Sequence, residues 1–196
     1  MKKIVFGLFL LVASGAGLTS CKEESNMPAP AVESVPAIFP QVNPAKSFFD
    51  LNSSKAATSS NPTRPVFEFT IDLGKERDLK VERVEVFKSY RRGAVVSPRV
   101  KAGDYSSFPA TVSINSKDAL QGLSRLSGTT LVPVIPAAGP DAFNNLVLAN
   151  DAIVFTFDLI VEGGRRIVLA PTNAAGSPTG TQILAPYAAI AVFRNP

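Results

Sequence analysis

The sequence predicts an all-β protein: an antiparallel β-sandwich (Ig-like) with one short helix, preceded by a signal peptide and a Pro-rich tether. Three observations carry this. From Val66 onward apolar residues recur at every second position, turn-forming residues bound each run, and prolines space the stretch before residue 46. The expected division is 1–20 signal peptide, 21–46 tether and 47–196 sandwich domain.

Lys2 and Lys3 make a basic start, Ile4 to Ala13 an apolar run of about ten residues, and small residues follow up to Ser20. A membrane span needs roughly 20 apolar residues, so the run suits a secretory leader instead. Beyond it, Pro28, Pro30, Pro36, Pro40 and Pro44 favour extended chain over a packed core. At about 3.1 Å per residue, such a tether reaches several tens of ångströms. Ser47 to Leu51 (SFFDL) then reads as a first strand, because Phe48 and Phe49 are costly to leave in water.

In Val66 to Asp72 (VFEFTID) the residues Phe67, Phe69 and Ile71 face one way and Glu68, Thr70 and Asp72 the other, as in a half-buried strand. Val81 to Tyr90 (VERVEVFKSY) alternates Val84 and Val86 with charges, and Ala110 to Ile114 (ATVSI) repeats the pattern. Ser97 to Ser107 (SPRVKAGDYSS) reads as a projecting polar loop. Ser116 to Leu123 (SKDALQGL) reads as a helix of a turn or two, with Ser116 as N-cap and Gly122 limiting its length. Ile153 to Val161 (IVFTFDLIV) puts Ile153, Phe155, Phe157, Leu159 and Val161 on the core face, leaving Val154, Thr156, Asp158 and Ile160 on the other, solvated one. Gly163 and Gly164 suit a two-residue hairpin turn into Arg166 to Ala170 (RIVLA), and Tyr187 to Phe193 (YAAIAVF) closes the chain. On this register truncating Phe155 or Phe157 costs about 3–5 kcal/mol, and Asp158→Ala far less.

Charge and composition exclude several functions. Removing residues 1–20 takes away Lys2 and Lys3 and no acid, so 18 bases face 16 acids and the charge falls to +2. That balance gives no footprint for nucleic acid. There is no histidine for a triad or a zinc site, no second cysteine for a disulfide, and no Gly-rich phosphate loop. No cofactor is expected. No metal is expected either: Asn144, Asn145, Asn150 and Asp151 are the nearest approach to a calcium loop, which needs several gathered oxygens. Catalysis would rest on paired acids, Glu68 with Asp72 or Asp151 with Asp158, set about 5–10 Å apart as in a glycosidase. The better reading is a binding module, with Tyr105 flanked by Arg99 and Lys101 on the polar loop as its candidate contact.

The only cysteine, Cys21, follows the leader directly. Leu18-Thr19-Ser20-Cys21 resembles the bacterial lipobox, which implies cleavage before Cys21 and its acylation with palmitate-type chains. Two or more chains suffice for stable anchoring where one does not. Lys22-Glu23-Glu24 resembles the short export signal of surface-exposed Bacteroidetes lipoproteins; without such a signal the periplasmic face of the outer membrane is the default. The segments "VERVEVFKSY", "FPATVSINSKDALQGL" and "DAIVFTFDLIVEGGRRIVLAPTNAAG" further resemble a group of Bacteroidetes outer-membrane lipoproteins often encoded beside SusC/SusD-like uptake pairs. The resemblance implies a sandwich fold, an outer-membrane location facing the cell surface, and partnership with an outer-membrane protein complex or a surface glycan. It implies no active site. The alternative function is a carboxylate-dependent, glycosidase-like hydrolase.

Overall fold

The period-two runs fold as strands in a computed structural model, which describes residues 34–57, 63–74, 79–135 and 146–196, all within the unit Glu33–Pro196. The leader, Cys21, Lys22 to Glu24, Asn144 and Asn145 lie outside the described residues. In chain order the elements are β1 (Gln41–Val42), β2 (Phe48–Asp50), α1 (Leu51–Ala56), β3 (Val66–Ile71), β4 (Val81–Arg92), β5 (Val95–Val96), β6 (Val100–Tyr105), β7 (Ala110–Asn115), α2 (Ser116–Leu120), β8 (Ser124–Ser127), β9 (Thr130–Pro133), β10 (Ala152–Val161), β11 (Arg165–Val168) and β12 (Ala189–Arg194). The smaller sheet runs β1-β3-β7. The larger runs β2-β12-β10-β4-β5, with β11 also on β10 and β6 also on β4, while β8 and β9 form a separate hairpin. The fold is all-β and sandwich-like, and its pairings are antiparallel except that of β12 with β2. Among the described residues no helix is long and apolar enough to cross a membrane.

The two sheets meet through aromatic rings. Phe67 and Phe69 of β3 are fully buried against Phe155 of β10, at centroid distances of 5.8 and 5.2 Å, and Phe69 also meets Phe157 edge-on at 6.1 Å. Offset and edge-on pairs suit the ring quadrupoles and add to the area buried. Phe49 extends the cluster, 5.0 Å from Phe193 and 6.0 Å from Phe67. Phe48 and Phe49 are thus a strand, laid parallel to β12.

Several expectations change. The packed unit starts ahead of Ser47: Ile38 is buried, β1 pairs with β3, and Asn43 caps the one-turn helix Pro44–Lys46 through its side chain. A proline-spaced stretch can therefore supply edge backbone, because a strand at a sheet edge needs only one row of its donors paired. Residues 100–105 are the strand β6 rather than loop. The helix cap is Asn115, whose Oδ1 accepts from the amides of Lys117 and Asp118, and Ser116 is buried inside the first turn. The turn after β10 has three residues, Glu162 to Gly164, with both glycines at positive φ.

The largest change concerns β10, in which all ten residues are buried. It pairs with β4 along its length and with β12 and then β11 on its other edge. Its outer face is covered as well: Asp158, 0% exposed, is held by Arg99 through two hydrogen bonds of 2.9 and 3.0 Å. Arg166 adds a third contact at 3.3 Å and reaches Glu85 Oε2 at 2.5 Å, close but not aligned as a hydrogen bond. Lys101 donates to the other oxygen of Glu85 at 3.1 Å. The Arg99 guanidinium also lies 4.2 Å from the centre of the Phe87 ring. Asp158 is therefore no solvated acid, and a mild Asp158→Ala is not expected. Removing one partner of a buried pair strands the other and costs about 3–5 kcal/mol.

Chemical denaturation of Asp158→Ala and Phe157→Ala will show losses of similar size, about 3–5 kcal/mol each. A loss below about 1 kcal/mol for Asp158→Ala, the ordinary result for an exposed pair, would contradict the burial of that face.

Candidate functional site

At the end of β4 the core-facing positions turn polar. Tyr90, 1% exposed, donates its hydroxyl to Asp151 Oδ2 in a short hydrogen bond. Arg92, two residues on and so on the same face, donates from Nε to Asp151 Oδ1 at 2.9 Å and from Nη2 to Oδ2 at 2.8 Å. The same Nη2 reaches Leu146 O at 2.6 Å and the Tyr90 hydroxyl at 2.8 Å. Asp151 also accepts from the Leu148 amide at 2.6 Å. Burial first, and then the bond to Asp151, push the Tyr90 phenol well above its ordinary range, while hydrogen bonding to Asp151 raises the Arg92 guanidinium further. These groups satisfy one another, so Arg92 is committed to its own scaffold.

Above this floor opens a cleft of about 410 Å³, within the size range of small-molecule pockets. Val95 and Val96 of β5, with Pro98, form one wall. Arg125, Leu126 and Leu131 of the β8–β9 hairpin form the other. The first wall is fixed by Ser97, whose Oγ accepts from the Tyr90 amide at 2.9 Å and whose amide donates to Tyr90 O at 2.8 Å. The second is shaped by a two-residue turn between Ser127 and Thr130, with Gly128 at φ 63°. Val95 is 49% exposed, Leu126 45% and Leu131 48%. Exposed apolar residues scattered singly need no explanation, but three on the rim of one cleft mark a contact surface. Among them lies Arg125, whose Nε is buried and has no hydrogen-bond partner. A buried unsatisfied donor costs about 1–3 kcal/mol, more when charged.

The residues singled out from sequence do not converge. Arg99 is spent on Asp158, Lys101 on Glu85 and on Asp104 at 2.9 Å, and the Tyr105 ring lies over the Gly103 backbone, half-buried, its phenol raised by burial. The paired acids are engaged by other groups too. Asp151 faces the interior beside Tyr90 and Asp158 the opposite side of the sheet, so the two cannot flank one scissile bond. Glu68 is held by Lys46 and Asn43 at 2.7 Å each, which lowers its pKa, and Asp72 accepts from the Gly74 amide. Among the described residues no three His, Cys, Asp or Glu side chains gather as a metal would require.

The cleft residues had a signal in the sequence. "SRLSGTTLVP" carries two short alternating runs around a glycine, the pattern of a hairpin. A second cavity, about 250 Å³, lies between the chain at Val35 to Ile38 and Leu169, Ala170 and Tyr187, with Phe157 at its base. No protein-family model, curated protein or solved structure matches the chain.

Because its folded pKa is raised, Tyr90 contributes stability that is fully present below its ordinary value of 10.0 and is lost as pH rises above it. Urea unfolding of the parent and Tyr90→Phe across about pH 9 to 11 will show the parent losing its advantage in the upper half of the range. Parallel profiles would mean that Tyr90 titrates as in the unfolded chain.

Proposed function

We propose that this protein is a lipid-anchored lipoprotein of the outer membrane, facing the cell surface, and that it acts as a non-enzymatic binding or accessory module of a surface uptake or assembly system. Support for the anchor is the order of basic start, apolar run and Leu18-Thr19-Ser20-Cys21. Lys22-Glu23-Glu24 supports the outward face, and the strand segments that resemble Bacteroidetes outer-membrane lipoproteins support the setting beside an outer-membrane protein complex or a surface glycan.

The observation that carries the binding reading is the open cleft with an apolar rim of Val95, Leu126 and Leu131. The acids that a hydrolase would need point elsewhere: each is bound by a neighbouring cation, amide or hydroxyl. An anchored sandwich with such a cleft serves capture or docking, and the proline-spaced stretch after Cys21 supplies distance from the membrane.

Cys21→Ser will abolish lipid labelling and move the protein out of the outer-membrane fraction while its denaturation profile stays that of the parent. Unchanged labelling with continued sedimentation in membranes would overturn the anchor. Replacing Lys22, Glu23 and Glu24 together by alanine will lower protease accessibility on intact cells with the protein still membrane-bound. Equal digestion of parent and variant would assign those residues to the tether alone.

A further inference from the structure

We propose that the face formed by Val35, Phe39, Leu184 and Tyr187 docks reversibly on the lipid surface in which Cys21 is anchored. The inference rests on the lipid anchor of the preceding reading and adds a second, non-covalent contact between the folded domain and the membrane.

Three observations lead to it. The first is that these exposed side chains, Val35 at 40%, Phe39 and Leu184 at 48% and Tyr187 at 42%, belong together. The rings of Phe39 and Tyr187 meet at 5.5 Å, Val35 and Tyr187 border one cavity, and Leu184 opens the turn that carries Tyr187, its carbonyl accepting from the Tyr187 amide at 2.9 Å. Apolar groups left in water side by side mark a contact surface. The second is their chemistry: no charged residue lines the cavity behind them, and tyrosine suits the boundary where hydrocarbon gives way to headgroups, with its ring on the apolar side and its hydroxyl on the wet one. The third is position. Val35 lies 14 residues after Cys21, so the anchored chain enters the fold at this face. Fully extended at about 3.1 Å per residue, the intervening chain reaches only about 40–45 Å. A face held that close meets the bilayer at high effective concentration, and a weak attraction suffices. The tether still permits a lifted state, and the two states exchange.

Other occupants fit this face less well. The cavity of about 250 Å³ falls below the roughly 300–1,000 Å³ of small-molecule sites, and four side chains fall short of the roughly 20–30 residues that each side of a stable protein interface supplies. A lipid surface needs no shape-matched partner. It needs only apolar groups able to sink about 5–10 Å into the boundary of headgroups and acyl chains.

The test uses the lipidated protein, purified from membranes and reconstituted in phosphatidylcholine vesicles. The chain has no tryptophan, so Phe39→Trp supplies a single fluorescent reporter. Leu148→Trp is the control: Leu148 is 50% exposed and lies at the opposite end of β12 from Tyr187, where the Asn150 amide donates to Phe193 O at 2.8 Å. In vesicles of brominated phosphatidylcholine Phe39→Trp will lose about half of its emission, as suits a ring about 5–10 Å into the interface, and Leu148→Trp almost none. Adding Val35→Ser and Leu184→Ser to Phe39→Trp will restore the emission while the protein still floats with the vesicles. In floating protein, equal quenching of the two reporters, quenching of neither, or quenching that survives the two serines would overturn the docking. Emission that changes with the density of protein on the vesicle but not with bromine would overturn it in favour of a second copy of the chain. Protein that does not float would overturn the anchor and the docking with it, so flotation separates the two failures.

Discussion

The ten-residue strand β10 is buried on both faces, and that constraint organises the molecule. A strand at the centre of a two-layer sandwich normally buries one face and wets the other. Here the inner face carries the aromatic cluster and the outer face carries Val154, Thr156, Asp158 and Ile160, each of them buried. A third layer must therefore cover the outside. It is built from irregular chain, the segment around Ser97 to Arg99 and the long connection from β11 to β12, which join where the Arg99 amide donates to the Gly176 carbonyl at 3.0 Å. Asp158 is the polar anchor of that layer. Its two oxygens match the fork of Arg99, and the guanidinium of Arg99 is held over Phe87.

The same constraint places the candidate site. Pinning Arg99 to the sheet fixes Ser97 and Pro98 immediately before it, and these form the cleft wall beside Val95 and Val96. On the core side of β4, Tyr90 and Arg92 meet Asp151 at the start of β10 and close the floor. One strand thus supports the cleft from both of its faces, through an acid just before it and another within it. The charge on Lys88 is a further cost of dense packing: buried and donating to Asp118 O at 2.5 Å, it titrates below the ordinary lysine range because burial disfavours its charged form.

Much of the fold was legible in the sequence, because period-two alternation survives wherever one face is wet. Phe67, Phe69 and Ile71 sit inward as the pattern demands, and Phe155 and Phe157 hold the core. The pattern fails where tertiary packing overrides it. Asp158 reads as a solvent marker on any alternation argument, yet a partner 59 residues away in sequence allows it to be buried. The segment from Ser97 to Ser107 is polar for the same reason: Arg99 and Lys101 are there to neutralise Asp158 and Glu85. Charges that meet only across strands leave no local signal, so residues expected to reach a ligand prove structural. Arg125, whose Nε has no hydrogen-bond partner among the described residues, carries no local signal that separates it from an ordinary surface charge.

A double-mutant cycle with Arg99→Met and Asp158→Leu tests the buried outer face most directly. The account predicts that each single substitution destabilises, that the double variant loses much less than the sum of the two because no charge is left stranded, and that the coupling is about 3 kcal/mol, the upper end for residues in contact. Additive effects with coupling near zero would contradict it, since only a pair left in water behaves that way.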